Sequence, residues 1–255
     1  MSIEIYTELR QEINYKSFIF SGGEVSVKLE QEFLNSKGFI ITAFLKSSDD
    51  IMLLLNLTDA IKHQYGFNAI IHLVLNYCPY ARQDRVCDKG ESFGLKVFAN
   101  IINSINFASV GILDPHSDVA PALFTNGYSI DLAESFDKKY IENIDYLVSP
   151  DAGSNKKVFK LSQKYNIPMI RADKLRDLTN GQILETIVYT DDLKGVRVLI
   201  VDDICDGGRT FTELAKQLIN KGATVDLYIT YGIFSKGKEV LKMAGIDSIY
   251  CPYEF

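Results

Sequence analysis

The sequence predicts an α/β protein of two half-domains, each a largely parallel sheet flanked by helices. Three observations predict it. Short, nearly continuous apolar runs alternate along the chain with stretches of helical length, the pattern of strands buried on both faces of a parallel sheet. A polar run at 132–145, LAESFDKKYIENID, divides the chain into similar halves, each with several such alternations. The 255 residues are 47% hydrophobic and 24% charged, ordinary values for a globular chain long enough to bury a sizeable core.

The elements follow in order. In the first half, FIITAF at 39–44 reads as a strand, 51–65 as a helix, AIIHLVL at 69–75 as a strand, 95–105 as a helix and SVGIL at 109–113 as a strand. In the second half, YLVS at 146–149 reads as a strand, 155–165 as a helix, VRVLIV at 196–201 as a strand, 210–221 as a helix, and TVDLYIT at 224–230 and SIYC at 248–251 as strands. Short runs of branched apolar residues suit strands, and longer stretches of mixed polarity suit helices.

Charge and cysteine content narrow the function classes. The formal net charge is −6, which argues against a nucleic-acid binder, since those carry a basic face. No apolar run reaches the roughly 18–20 residues needed to cross a bilayer, and the start, MSIEIYTELRQEI, has no signal-peptide apolar core. The four cysteines, Cys78, Cys87, Cys205 and Cys251, are scattered with no CxxC pair. A zinc site is therefore not expected, and a reducing cytoplasm is. His63 and His72 fit no motif and read as structural.

Ligands of open α/β sheets bind at the carboxyl ends of the strands. The segments there are NYCPYARQDRVCDKGES after 69–75, DPHSD after 109–113, PDAGSNKK after 146–149 and DDICDGGRTF after 196–201. Each is rich in acids, glycines or bases, and four together point to an active site. In the last, Gly207 and Gly208 allow a tight turn that presents N–H groups to an anion. Thr210 would open the next helix, where a phosphate is favoured. Asp202 and Asp203 would repel a phosphate, but they suit sugar hydroxyls or a divalent metal. Phosphate, hydroxyls and metal together suggest a phosphorylated ribose.

The strand–DDICDGGRT–helix segment resembles the ribose-5-phosphate loop of type I phosphoribosyltransferases and of phosphoribosyl pyrophosphate synthetases (ribose-phosphate diphosphokinases). The rest of the chain favours the synthetases. FSGGEVSVKLE at 20–30 is similar to their adenine segment and PYARQDR at 79–85 to their ATP loop. LDPHSD at 113–118 resembles the segment with the metal-associated histidine, and VSPDAG at 148–153 the metal- and pyrophosphate-handling loop. DKLR at 173–176 resembles the start of the flexible catalytic loop.

The resemblance implies two phosphoribosyltransferase-like half-domains, 1–135 binding ATP and 136–255 binding ribose 5-phosphate. It implies Mg2+ as cofactor, ATP as co-substrate and a homo-oligomer. Phe20, Gly22, Glu24, Arg82, Gln83, Asp84 and His116 would contact ATP. His116 and Asp151 would hold the metal, and Lys174, Arg176 and His116 would be catalytic. Asp202, Asp203, Asp206, Gly207, Gly208, Arg209 and Thr210 would bind the ribose phosphate.

Three departures from the family pattern bear on function. The phosphate loop of the family usually reads Asp-Thr-Gly-Gly-Thr, whereas here it is Asp206-Gly207-Gly208-Arg209-Thr210. The arginine adds a donor fork suited to more phosphate, so ADP-ribose is an alternative acceptor. Gly22 replaces an aspartate of the adenine segment, which puts adenine selectivity in question. The match ends early, at about residue 245, so a dimer is expected rather than a hexamer. A phosphoribosyltransferase, or a regulatory nucleotide-binding partner without turnover, are the readings from other classes.

Overall fold

The computed structural model describes residues 3–30, 36–176, 183–190 and 192–255, with the side chains at 174–176 and 183–185 left out. The chain forms two compact units, Met1–Ile130 and Asp131–Phe255. Unit 1 contains β1 (Ile3–Thr7), β2 (Tyr15–Ile19), β3 (Val25–Leu29), β4 (Gly38–Phe44), α1 (Ser48–Tyr65), β5 (Ile70–Tyr77), α2 (Gly94–Ser104), β6 (Ser109–Leu113), α3 (Val119–Leu123) and β7 (Gly127–Ile130). Its sheet runs β1-β4-β5-β6-β7. β4 to β7 are parallel and β1 pairs antiparallel at the edge.

Packing follows from the alternation in the strands. Phe39, Ile41 and Ala43 of β4 and Leu73 and Leu75 of β5 are fully buried, with half-buried residues between them. Leu54, Leu57 and Ile61 of α1 and Leu95, Phe98 and Ile102 of α2 belong to the same core, spaced to face the sheet at helical intervals. α1 starts at a capping box in which Ser47 accepts from the Asp50 N–H and Asp50 reaches back to the Ser47 N–H. His72 is structural, with Nδ1 2.8 Å from Ser109 Oγ. β2 and β3 form a separate hairpin, tied to α1 where Asn56 donates to the Val25 carbonyl.

Unit 2 contains α4 (Leu132–Ser135), a 3-10 turn at Lys138–Ile141, β8 (Tyr146–Ser149), α5 (Asn155–Tyr165), β9 (Met169–Arg176), β10 (Ile183–Val188), β11 (Arg197–Cys205), α6 (Arg209–Asn220), β12 (Thr224–Gly232), α7 (Glu239–Met243), β13 (Ile246–Tyr250) and β14 (Tyr253–Glu254). The sheet order is β10-β9-β8-β11-β12-β13, with β14 also paired to β12. Only β10 is antiparallel to its neighbour. From β8 the chain winds outward to β10, then returns to lay β11 on the other side of β8. The direction of winding therefore reverses between β8 and β11, the place where open α/β sheets bind ligands.

One expectation changes, and one segment gains a role. The polar run 132–145 begins where unit 2 begins and belongs to it. Leu132, Phe136 and Ile141 are buried with Leu147, Val158, Leu199 and Tyr228, so its sparse apolar residues cap the second core. The strand expected to end at 201 continues to Cys205, because Asp202, Ile204 and Cys205 keep their pairing to β12. Its aspartates thus lie inside a buried strand. Among the described residues no helix is long and apolar enough to cross a membrane.

Candidate functional site

The reversal between β8 and β11 brings together residues from the turn after β8 and from the end of β11. Asp202 and Asp203 are 8% and 6% exposed. The Ser154 hydroxyl donates to Asp202 Oδ1 at 2.6 Å, and the Asp203 N–H donates to the same oxygen at 3.0 Å. Lys157 Nζ lies 3.3 Å from Asp203 Oδ1, its side chain 15% exposed. Burial, and then the neighbouring charge of Asp203, push the Asp202 carboxyl well above the usual range, while Lys157 opposes the shift. Lys157 sits in the first turn of α5, where the helix dipole disfavours a cation. A lysine and two carboxylates sharing a buried site at a helix start is an arrangement that costs stability, and such clusters mark functional positions.

Asp151 stands in the same turn. Its Oδ1 accepts from the Ser154 N–H at 3.2 Å and from the Ser154 hydroxyl at 3.4 Å. Carboxylate oxygens such as those of Asp151, Asp202 and Asp203 are chemically the donors Mg2+ prefers, but the three are not arranged around a common point. Among the described residues there is no cluster of three or more histidine, cysteine, aspartate or glutamate side chains placed as a metal site.

The glycine turn follows directly. Gly208 is the N-cap of α6 at φ 75°, a conformation that favours glycine. A Cβ there would also lie 3.0 Å from Leu241 Cδ2. Gly208 offers no side-chain cap to α6, and its carbonyl accepts from the Phe211 and Thr212 N–H groups, both at 3.0 Å. Thr210 is half-buried in the first turn, and Asp206 is half-buried before it. Arg209 departs from expectation. Its guanidinium is 64% exposed and donates to Glu213 at 2.7 Å, an i,i+4 pair along the helix surface. The donor fork expected at the phosphate is turned onto α6 itself.

The backbone of Lys174 and Arg176 lies in β9, opposite Thr186 and Ile183 of β10. The matched pair therefore begins on a strand rather than in a loop. The side chains of both, and the following segment 177–182, lie outside the described residues.

In unit 1 the segments after β5 and β6 leave adjacent parallel strands. Asp84 is buried and receives Arg85 through Nε at 2.8 Å and a second nitrogen at 3.2 Å. Arg85 holds the Asp84 carboxyl below the usual carboxylate range, and the charge of His116 acts in the same direction. The two segments are therefore neighbours, with Asp84 engaged by Arg85. Arg82, Gln83 and His116 are exposed. Gln83 Oε1 occupies the space a Cβ on Gly94 would need at the start of α2.

On the hairpin, Phe20 is 54% exposed and stacks edge-on with Phe18, centroids 4.8 Å apart. Glu24 folds back over Gly22: a Cβ there would fall 2.6 Å from Glu24 Oε2. The glycine that replaces the family's aspartate makes room for this carboxylate.

Residues 2–105 match the N-terminal domain of ribose phosphate pyrophosphokinase, and residues 129–244 match the phosphoribosyl transferase domain. A ribose-phosphate pyrophosphokinase of Bradyrhizobium diazoefficiens is 31% identical over 226 residues, covering 86% of this chain and 70% of that one. The chain belongs to the ribose-phosphate pyrophosphokinase family. A family member from Thermosipho africanus is 30% identical over 240 residues, covering 91% and 75%, and one from Bacillus subtilis is 31% identical over 211 residues, covering 80% and 65%. The chain thus spans about two thirds to three quarters of the length of these pyrophosphokinases. The crystal structure of phosphoribosylpyrophosphate synthetase from Mycobacterium smegmatis superposes with a TM-score of 0.75 at 20% identity, covering 94% of this chain and 80% of that one, so the pyrophosphokinase fold is shared.

Three neighbours of the aspartates and the glycine turn are not legible in the sequence. Ser154 and Lys157 belong to PDAGSNKK, and only the adjacency of β8 and β11 shows them against the aspartates. Lys236 lies far along the chain in a turn whose place beside Gly207 depends on β11–β12 pairing.

Proposed function

We propose that this chain is a magnesium-dependent diphosphokinase. It transfers the β,γ-diphosphoryl group of ATP to the anomeric hydroxyl of ribose 5-phosphate. The bond between the β-phosphorus and the α,β-bridging oxygen breaks, that oxygen leaving on AMP, while the β-phosphorus bonds to the sugar oxygen and the hydroxyl proton is released. The observation that carries the reading is the buried Ser154–Asp202–Asp203–Lys157 cluster beside the glycine turn that opens α6, at the winding reversal of unit 2. Carboxylates for sugar hydroxyls and N–H groups for a phosphate are the two demands of a ribose 5-phosphate.

In this reading Asp202 and Asp203 accept from the ribose hydroxyls, with Asp206 beside them, and Gly207 to Thr210 hold the 5-phosphate through backbone N–H groups. Unit 1 recognises the nucleotide: Phe20 packs on adenine, Glu24 accepts from its amino group, and Arg82, Gln83 and His116 contact the phosphates. Asp84 orients that loop through Arg85. The metal candidates are Asp151 in unit 2 and His116 in unit 1, and Mg2+ would supply neutralisation of phosphate charge. Lys174 and Arg176 provide the cations that favour charge on the transferring group.

The test is AMP release from ATP and Mg2+ with ribose 5-phosphate or ADP-ribose as acceptor. Turnover with ribose 5-phosphate is expected. Because Arg209 is committed to Glu213, no preference for ADP-ribose is expected. Silence with both acceptors would overturn the reading, and turnover with ADP-ribose alone would reassign the acceptor.

A further inference from the structure

The phosphate turn of unit 2 lacks a cation from its own sequence, since Arg209 is paired along α6. A cation stands beside it from another element. β12 runs out next to β11, and the chain then folds back through residues 233–238 against the turn. That return is fixed by its own bonds. The N–H groups of Ile233 and Phe234 both donate to the Cys205 carbonyl, at 2.8 and 3.1 Å, and the Gly237 N–H donates to Phe234 at 2.7 Å. Phe234 is 9% exposed at φ 46°, and Lys238 lies over its ring at 4.9 Å while pairing with Glu254 at 2.6 Å.

Ser235 and Lys236 occupy the apex. A Cβ on Gly207 would lie 3.6 Å from Lys236 Cε, 3.7 Å from Lys236 Cδ and 3.9 Å from Ser235 Oγ. The lysine stem therefore crosses the glycine, and Nζ is one bond beyond Cε. The Lys236 side chain makes no ion pair or hydrogen bond among the described residues, whereas its neighbour Lys238 is paired. A Cβ on Gly207 would make only ordinary van der Waals contact with this stem, so the glycine and the lysine are direct neighbours, and an ammonium group one bond beyond Cε can reach an anion at the turn. A point charge that reorients on a flexible stem suits a terminal phosphate monoester.

We propose that Lys236 binds the terminal phosphate of the acceptor sugar, making it an acceptor-selecting residue supplied by the turn after β12. The proposal rests on the diphosphokinase reading for the identity of that phosphate. Lys236 is exposed, so Lys236→Met opens no cavity. A thermal melt equal to wild type would confirm that the variant is folded. The KM for ribose 5-phosphate should rise about 10-fold or more, as expected for loss of a charge-assisted contact, with the KM for ATP unchanged. Lys236→Arg should restore most of the loss, and Lys216→Met, which removes an exposed lysine on α6, should behave as wild type. A ribose 5-phosphate KM within twofold of wild type, or an equal rise for ATP, would overturn the proposal.

Calorimetric binding of ribose 5-phosphate to wild type and Lys236→Met, without ATP, separates the two readings. If wild type releases no AMP yet binds the sugar phosphate about 10-fold more tightly than the variant, the reaction is wrong and the lysine assignment stands. Equal binding, or none in either protein, overturns the lysine assignment whatever the turnover.

Discussion

Asp202 pays an electrostatic cost for its burial in unit 2. Its raised carboxyl means that the folded state holds a proton more tightly than the unfolded chain does. The stability contributed by protonated Asp202 is complete below the unfolded carboxylate value and is lost as pH rises through the raised folded value. Asp202→Asn keeps an acceptor for Ser154 and removes that loss. We expect it to melt higher than wild type at neutral pH, by on the order of 1 kcal/mol, with the gap closing on acidification. AMP formation should fall sharply in the same variant. Thermal melts across pH, read beside turnover, check both effects. Lys174→Ala and Arg176→Ala should each lower kcat by about 100-fold or more while the KM for ATP changes little, because such cations act mainly in the transition state. Steady-state kinetics would refute this if kcat and ATP affinity fell together. Arg209→Ala should cost no more than about 0.5 kcal/mol by denaturant unfolding, as for an exposed i,i+4 pair.

At the scale of elements, the glycine turn is the most constrained piece. Gly208→Ala forces a side chain into left-handed backbone and toward Leu241. A loss of about 1–2 kcal/mol is expected, read as a lower denaturant midpoint. The same comparison of elements shows what the sequence made legible. β4, β6, β8 and β12 and helices α1, α2, α5 and α6 stand close to their expected places, because apolar runs buried on both faces announce parallel strands. The β2–β3 hairpin was not expected, since β2 is almost wholly exposed and has no in–out alternation to read. The end of β11 was misplaced because aspartates rarely sit inside a strand, and here the neighbouring Lys157 and Ser154 help to make them tolerable. The glycine turn itself was legible from Gly207, Gly208 and Thr210. The lysine beside it was not, because no local spacing connects residues 207 and 236.

At the scale of the molecule, each unit has its own core, and the four thiols are distributed between them unequally in environment. Burial pushes Cys78 and Cys205 up to about 12 and Cys251 up to about 11, whereas Cys87 is exposed. Thiolates are the reactive form, so a chromogenic disulfide at pH 8 should modify Cys87 quickly and the other three only after unfolding. More than one fast thiol would contradict the burial described.

The bond from Ser154 to Asp202 also spans 48 residues of chain. Between its ends the polypeptide leaves the sheet centre, builds β9 and β10, and returns. Contacts of such long sequence separation close late when a chain folds, so the recognition cluster would be among the last parts to form. A sugar phosphate bound there would grip both sides of that closure. Ligand occupancy would then act as a latch on the centre of unit 2, adding to its stability by mass action and slowing its opening more than that of unit 1.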